Sequence, residues 1–348
     1  MLQGLHERGV LAALGAALLF GAGTPFAKRL LEGTSPWLLA GLLYMGSGLG
    51  LFLYRRITRP ARISLSRGDK AWLGAAILAG GVVGPALLMV GLASVPASGA
   101  SLLLNAEGVF TALIAWFVFR ENFDRRIAWG MLLIVAGAAV LSWPGETRLG
   151  AALPAMAILG ACLAWGLDNN FTRKVALSDA TFIAMAKGLV AGATNIGLAL
   201  MAGAHFPSPA TIAGAAVLGL LSYGVSLVLF VVALRELGTA RTGAYFSTAP
   251  FAGALIALPL LGESVTWHLA AAGTLMAAGV WLHLTERHGH RHSHPVTEHE
   301  HRHVHDEHHR HIHASGTDGS EPHVHKHGHP PLDHEHPHYP DSHHRHEH

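Results

Sequence analysis

The sequence predicts an all-α polytopic membrane protein: ten transmembrane helices as two inverted five-helix repeats, followed by a disordered His-rich C-terminal tail. Three observations carry that prediction. The chain of 348 residues is 51% hydrophobic and only 13% charged, with 41 glycines, which is too apolar for an ordinary soluble domain. Its apolar residues gather into ten segments, and about twenty helical residues suffice to cross a hydrocarbon core about 30 Å thick. The second five segments repeat features of the first five in order.

The segments run over 9–31, 36–54, 71–95, 98–119 and 127–143, then over 150–171, 180–202, 209–234, 239–261 and 265–284. Arg8 ahead of the first run mimics a signal peptide, but nine further spans, and a counterpart of that run in the second half, argue for a retained helix. Duplication shows near both ends of each half. At an offset of 145, Gly15-Ala16 falls on Gly160-Ala161, Gly21 on Gly166, Phe26 on Phe171 and Lys28-Arg29 on Arg173-Lys174. At 142, Ala112-Leu113-Ile114-Ala115 falls on Ala254-Leu255-Ile256-Ala257, Glu121 on Glu263 and Gly137 on Gly279. The repeats are expected over 9–145 and 150–286, with the tail over 287–348.

Orientation follows from Lys and Arg near span ends. Arg55, Arg56, Arg59, Arg62, Arg67 and Lys70 lie between spans two and three; Arg120, Arg125 and Arg126 lie between four and five; Arg173 and Lys174 follow span six; Arg235 and Arg241 flank the eight–nine turn. All fall on one side, while the connections at 93–97, 204–209 and 262–264 are almost free of positive charge. Both termini are expected in the cytosol. With five spans per half, the second half enters the bilayer upside down, an arrangement that lets two bundles exchange open ends around a site near the midplane.

Charged groups inside such spans are costly and mark pathways or partners. Glu107 sits near the middle of span four, Asp168 in span six and Lys187 in span seven; these three are the transport and proton-coupling candidates, Glu107 foremost. An acid in a low dielectric can load and release a proton. The alternative is a permanently neutralised Glu107–Lys187 pair that only fixes helix packing, and depth counting equally allows an Asp168–Lys187 pair. Asn105, Asn169, Asn195, Tyr223, Tyr245 and Ser247 are candidate neutral contacts to a solute, with interhelical hydrogen bonding as the competing role for each. Lys28 is expected to snorkel to the interface. Glu121 and Glu263 at span ends read as structural, with Arg120 and Arg125 as exposed partners for Glu121.

Ten spans in two five-span repeats, with Gly/Ala-rich fourth and ninth spans that end in Glu121 and Glu263, resemble the EamA family of the drug/metabolite transporter superfamily. The resemblance covers residues 9–286 and implies a secondary active transporter. It implies export of a small metabolite or drug across a bacterial inner membrane, with proton exchange as the drive and no cofactor required for transport. The family usually carries a proline in mid-span four, as Pro250 does in span nine; Glu107-Gly108 stands there instead.

The tail has a composition of its own, since 23 of the 27 histidines lie in the last 61 residues. Its His, Pro, Asp, Glu and Ser cannot build a packed core. Histidines at i and i+2 lie on one side of an extended strand, about 6 to 7 Å apart, and neutral imidazole suits Zn, Ni, Cu or Co. The candidate metal ligands are His288, His290, His292, His294, His299, His301, His303, His305, His323, His325, His327 and His329.

The expected partners are thus the lipid bilayer, a small-molecule substrate, protons and divalent transition metals, with no nucleic acid and a homodimer left open. No Gly-x-Ser-x-Gly or phosphate-loop motif is present, so an enzyme is not expected. The single Cys162 permits no intrachain disulfide. Two alternatives stand beside the organic-solute exporter: a divalent-metal exporter fed by its tail, and a membrane-anchored metal sensor or buffer without transport.

Overall fold

A computed structural model of the chain describes residues 2–60, 65–118, 125–142, 152–175, 178–237, 239–284, 289–294, 297–303, 323–329 and 332–337. The apolar runs become helices whose starts are set by local chemistry. Helix α1 covers Leu2–Leu30, and α2 covers Pro36–Thr58 with Pro36 in its first turn, where a missing N–H costs nothing. Ser66 and Asp69 close a reciprocal capping box at the start of α3, Arg67–Ala76, with Asp69 N donating to Ser66 Oγ at 3.0 Å. A π-helical stretch, π1 (Ile77–Val83), then carries that rod on into α4 (Gly84–Ser94).

The segment read as one span over 98–119 is broken. Helix α5 runs Ala97–Leu103, a turn occupies 104–105, and α6 runs Ala106–Phe117. Next come α7 (Arg125–Ser142), α8 (Ala152–Val175) and α9 (Ala180–Met201), whose first turn is capped by Asp179. Helix α10 (Pro209–Gly219) passes through π2 (Leu220–Val225) into α11 (Ser226–Leu237). The span read over 239–261 is broken as well, into α12 (Thr239–Phe246) and α13 (Ala249–Leu261), and α14 covers Trp267–Leu284.

The irregularities recur at one spacing. The tight turn in which Asn105 N donates to Leu102 O at 3.0 Å has its counterpart in Thr248 N donating to Tyr245 O at 3.1 Å, 143 residues on. The two π segments start at Ile77 and Leu220, again 143 apart. Hydropathy is blind to such breaks, because residues on both sides of them are apolar.

Among the described residues seven helical stretches are long and apolar enough to cross a membrane, with α3–π1–α4, α5–α6 and α10–π2–α11 each counted as one, and Ala128–Val140, Ala249–Leu261 and Trp267–Leu282 are shorter apolar helices. Large apolar side chains such as Leu11, Phe117, Leu153 and Leu255 are exposed, as helices bathed in lipid require and a water-soluble surface avoids. Packing pairs each element with a partner from the other half. Helix α2 lies along α9, and α7 along α14; α1 packs on α11 and α13, while α8 packs on α4 and α6. Close approach of α2 and α9 depends on Gly48 and Gly188, where an added Cβ would strike the facing backbone.

Residues 287–340 form a separate unit. Where the composition predicts no fixed structure, strands β1 (Gly289–His294) and β4 (Leu332–Pro337) pair antiparallel, as do β2 (Thr297–His303) and β3 (His323–His329). Alternation of His with other residues is a period-two pattern, and the backbone follows it.

Candidate functional site: a cavity with buried charged groups

Two unusual carbonyls organise the site. Pro85 has no N–H to offer Gly81 O, and Gly84 N donates five residues back to Ala79 O, so the backbone oxygens of Gly80 and Gly81 are released from the helix ladder. Three side chains from other helices satisfy them. Tyr44 OH and Trp165 Nε1 donate to Gly80 O at 2.8 and 2.9 Å, and Asn195 Nδ2 donates to Gly81 O at 2.8 Å. The same bend brings Gly80 so near α8 that a Cβ there would overlap the Asp168 carboxylate.

Beside this knot lies a cavity lined by Phe20, Tyr44, Glu107, Trp165, Asp168, Asn169, Lys187, Ser222, Tyr223, Ser226, Leu227, Phe230 and Phe246. Lys187 Nζ donates to both Asp168 oxygens, at 2.6 and 2.7 Å, and to Thr172 Oγ1 at 3.2 Å; Thr172 also donates to Asp168 at 2.8 Å. Lysine therefore belongs to Asp168, which settles the choice the sequence left open. Asp168 is buried rather than hydrated at the interface. Glu107, in the first turn of α6, accepts from Asn169 Nδ2 at 2.8 Å, and among the described residues it makes no ion pair. Asn169 is held in turn by Thr111 Oγ1 at 3.2 Å.

The aromatic wall is continuous. Phe20 meets Trp165 edge-on at 5.8 Å, Tyr223 at 5.9 Å and Phe246 at 5.3 Å; Tyr44 meets Tyr223 at 5.1 Å, and Phe230 meets Phe246 at 4.8 Å. Of the residues singled out from sequence, Glu107, Lys187, Asp168, Asn169 and Tyr223 line this cavity. Asn105, Asn195, Tyr245 and Ser247 do not. Asn195 serves the π1 carbonyl, the interhelical role weighed against solute contact, whereas Asn105 donates to Leu102 O at 3.1 Å and Ser247 to Gly243 O at 2.8 Å, each within its own segment. Phe20, Tyr44, Trp165, Phe230 and Phe246 were missed because aromatics vanish inside apolar runs. One signal was available: Phe20 and Trp165 coincide at the 145-residue offset.

The end that bears residues 92–98 and 262–266 is tied together by two side-chain caps. Lys28 Nζ donates to Leu92, Ala93 and Val95 carbonyls at 2.6, 3.2 and 3.0 Å, capping α4 instead of snorkelling. Glu263 accepts from Ala97 N at 2.7 Å and Ser98 N at 3.0 Å, so it caps α5 of the other half. Glu121, Arg120 and the Arg125 side chain lie outside the described residues. At the opposite end Arg55 meets Asp179 at 2.7 Å and also donates to Thr181, tying α2 to α9. Burial pushes the Asp179 carboxyl up, but hydrogen bonds from Thr181, the Phe182 N–H and Arg55, with the Arg55 charge, hold it below its ordinary value. Cys162 is buried and points its thiol at Leu103 O. Among the described residues of the helical body, no group of three or more His, Cys, Asp or Glu is placed to hold a metal ion.

The model of the EamA-like transporter family matches twice, over residues 7–143 and 152–285. The chain belongs to the EamA-like transporter family. This EamA-like protein is a multi-pass membrane transporter by family, and its relatives carry matching names. It is 27% identical to an uncharacterized transporter of Methanothermobacter thermautotrophicus over 292 residues, 79% of this chain and 85% of that one. It is 26% identical over 303 residues to a probable amino-acid metabolite efflux pump of Salmonella typhimurium, covering 80% and 95% of the two chains. With the pseudopaline exporter CntI of Pseudomonas aeruginosa it shares 26% identity over 169 residues, 48% of this chain and 57% of that one. One solved crystal structure shares the fold, with a TM-score of 0.62 at 16% identity over 79% of this chain and 94% of the other.

Proposed function

We propose that this EamA-like protein exports an amino-acid-sized organic metabolite by proton-coupled alternating access, with Glu107 carrying the coupled proton. In this reading ten helical spans form two inverted five-span repeats, both termini are cytosolic in a bacterial inner membrane, and the cavity is the transport site. The 143-residue spacing of both helix breaks and both π segments supports the repeat, as does packing that recurs with the halves exchanged. Interrupted helices at a shared site are how inverted-repeat carriers expose polar backbone to a solute. Export of an amino-acid-like solute is supported by the name of the Salmonella relative and by a cavity that sets charged and amide side chains beside an aromatic wall.

The observation that carries the coupling assignment is the division of labour between the acids. Asp168 cannot change its charge without stranding Lys187, whereas Glu107 faces the cavity with a neutral amide as its partner. A Glu107 proton can therefore leave or return without breaking an ion pair, and the same cavity offers the departing solute a place. The His-rich tail, in this reading, binds transition metal in the cytosol and is not the source of the cargo. A screen of tritiated amino acids in proteoliposomes with an imposed pH gradient tests the assignment. Wild type should accumulate at least one of them, and Glu107→Gln should retain counterflow exchange while losing gradient-driven accumulation. Equal accumulation by both proteins would remove Glu107 from the coupling role.

A further inference from the structure

The strand register of the tail carries information that composition does not. In the β2/β3 ladder His299 stands opposite His327, His301 opposite His325 and His303 opposite His323. In the β1/β4 ladder His290 stands opposite His336, and His292 opposite His334. Every second position along an antiparallel pair shares a face, so each ladder gathers its opposed histidines on one face. The other face is also complementary: Glu300 lies across from Lys326, and Arg291 across from Glu335, so opposite charges favour the same register. His288 and His305 lie outside the described residues, while His334 and His336 join the set first drawn from sequence.

An isolated two-stranded ladder without an apolar face is marginal in water. Histidine opposite histidine makes this worse whenever both are protonated, since like charges across a ladder repel. Something else must hold the strands. Directly opposed Cβ atoms lie about 4.5–5.5 Å apart, and neighbours along one strand about 6–7 Å apart, which makes a block of four imidazole-bearing positions compact enough for one ion. Binding to a site that exists only when folded adds its free energy to folding.

We propose that the paired strands β1–β4 are metal-templated, and that the opposed-histidine faces of the β2/β3 and β1/β4 ladders each bind a borderline divalent cation of the zinc, cobalt or nickel class. This rests on the reading that the tail binds metal and adds that strand register, not histidine content, makes the tight sites. Six opposed histidines in one ladder and four in the other supply at least four donors each, so two tight sites per chain are expected.

The test uses the full-length protein in detergent, with Zn²⁺ titrated against a chromophoric chelator and Co²⁺ absorption as a report on tetrahedral binding. A single Gly inserted between Glu300 and His301 throws His301 and His303 onto the other face while keeping every histidine. A control carries the same Gly between residues 316 and 317, outside both strands. The strand insertion should lose one of two tight Zn²⁺ sites and weaken the remaining binding there at least tenfold, with a fall in the Co²⁺ visible bands; the control should match wild type within about twofold. Equal binding by all three proteins would overturn the ladder and leave a metal-binding tail of no fixed register. Absence of tight Zn²⁺ binding in wild type would overturn both.

Discussion

Replacing Lys187 with methionine isolates what the buried ion pair contributes. The two side chains are 3% and 8% exposed, and the exchange removes contacts of 2.6 and 2.7 Å, leaving Asp168 with Thr172 and no counter-charge. Removing one partner of a buried pair costs about 3–5 kcal/mol, which is about two to three and a half powers of ten in the unfolding equilibrium. Because Gly80 gives the Asp168 side chain no room to grow, the compensating change must be isosteric. Lys187→Met combined with Asp168→Asn should therefore recover most of the loss, since a neutral amide in the same space strands no charge. Equilibrium unfolding in mixed SDS and mild-detergent micelles, followed by tryptophan fluorescence, compares wild type, the single variant and the double. A single variant within about 1 kcal/mol of wild type would refute the reasoning, because an exposed or hydrated pair behaves that way. So would a double variant no more stable than the single.

Three further outcomes follow from the geometry. Gly80→Ala forces a methyl into the Asp168 carboxylate and should cost about 1–3 kcal/mol in the same unfolding assay; an unchanged midpoint would mean that π1 and α8 are less tightly apposed. Glu263→Ala frees the Ala97 and Ser98 amides and should loosen the start of α5, raising the labelling rate of a cysteine introduced at Ser98 by a membrane-impermeant maleimide; an unchanged rate would show that the cap does not hold that turn in place. Since the Asp179 carboxyl is held below its ordinary value, its stabilising effect is complete above about pH 3.9, the unfolded value, and is lost as pH falls through the lower folded value. Asp179→Asn should thus destabilise at neutral pH and flatten the acid limb of the stability profile, and a parallel-shifted limb would contradict the Arg55 tether.

Hydropathy and the repeat offsets made the helices legible, because lipid demands long apolar runs and duplication leaves residues such as Gly15-Ala16 and Gly160-Ala161 in register. Depth counting brought Asp168 and Lys187 to one level. What it could not show was that Gly80 makes room for the Asp168 carboxylate, a tertiary fact that decides which acid takes the lysine. The breaks at 104–105 and 247–248 were invisible for a different reason: they change hydrogen-bond partners without changing polarity. Lys28 was misjudged, and the partners of Glu263 were not foreseen, because each caps backbone groups distant in sequence, and no local pattern announces a lysine 64 residues from its carbonyl or a glutamate 166 residues from its amide. Tail composition pointed to metal, whereas the opposition of His301 to His325 needed the strand pairing.

The most direct measurement of the central claim is proton release on solute binding. Purified wild type and Glu107→Gln, in weakly buffered detergent with a pH-sensitive dye, would each be mixed with the amino acid that gives the strongest accumulation in proteoliposomes. Wild type should release close to one proton per solute bound near neutral pH, and Glu107→Gln should bind the solute and release none. Equal proton release from both would contradict Glu107 as the group that exchanges a proton for the solute.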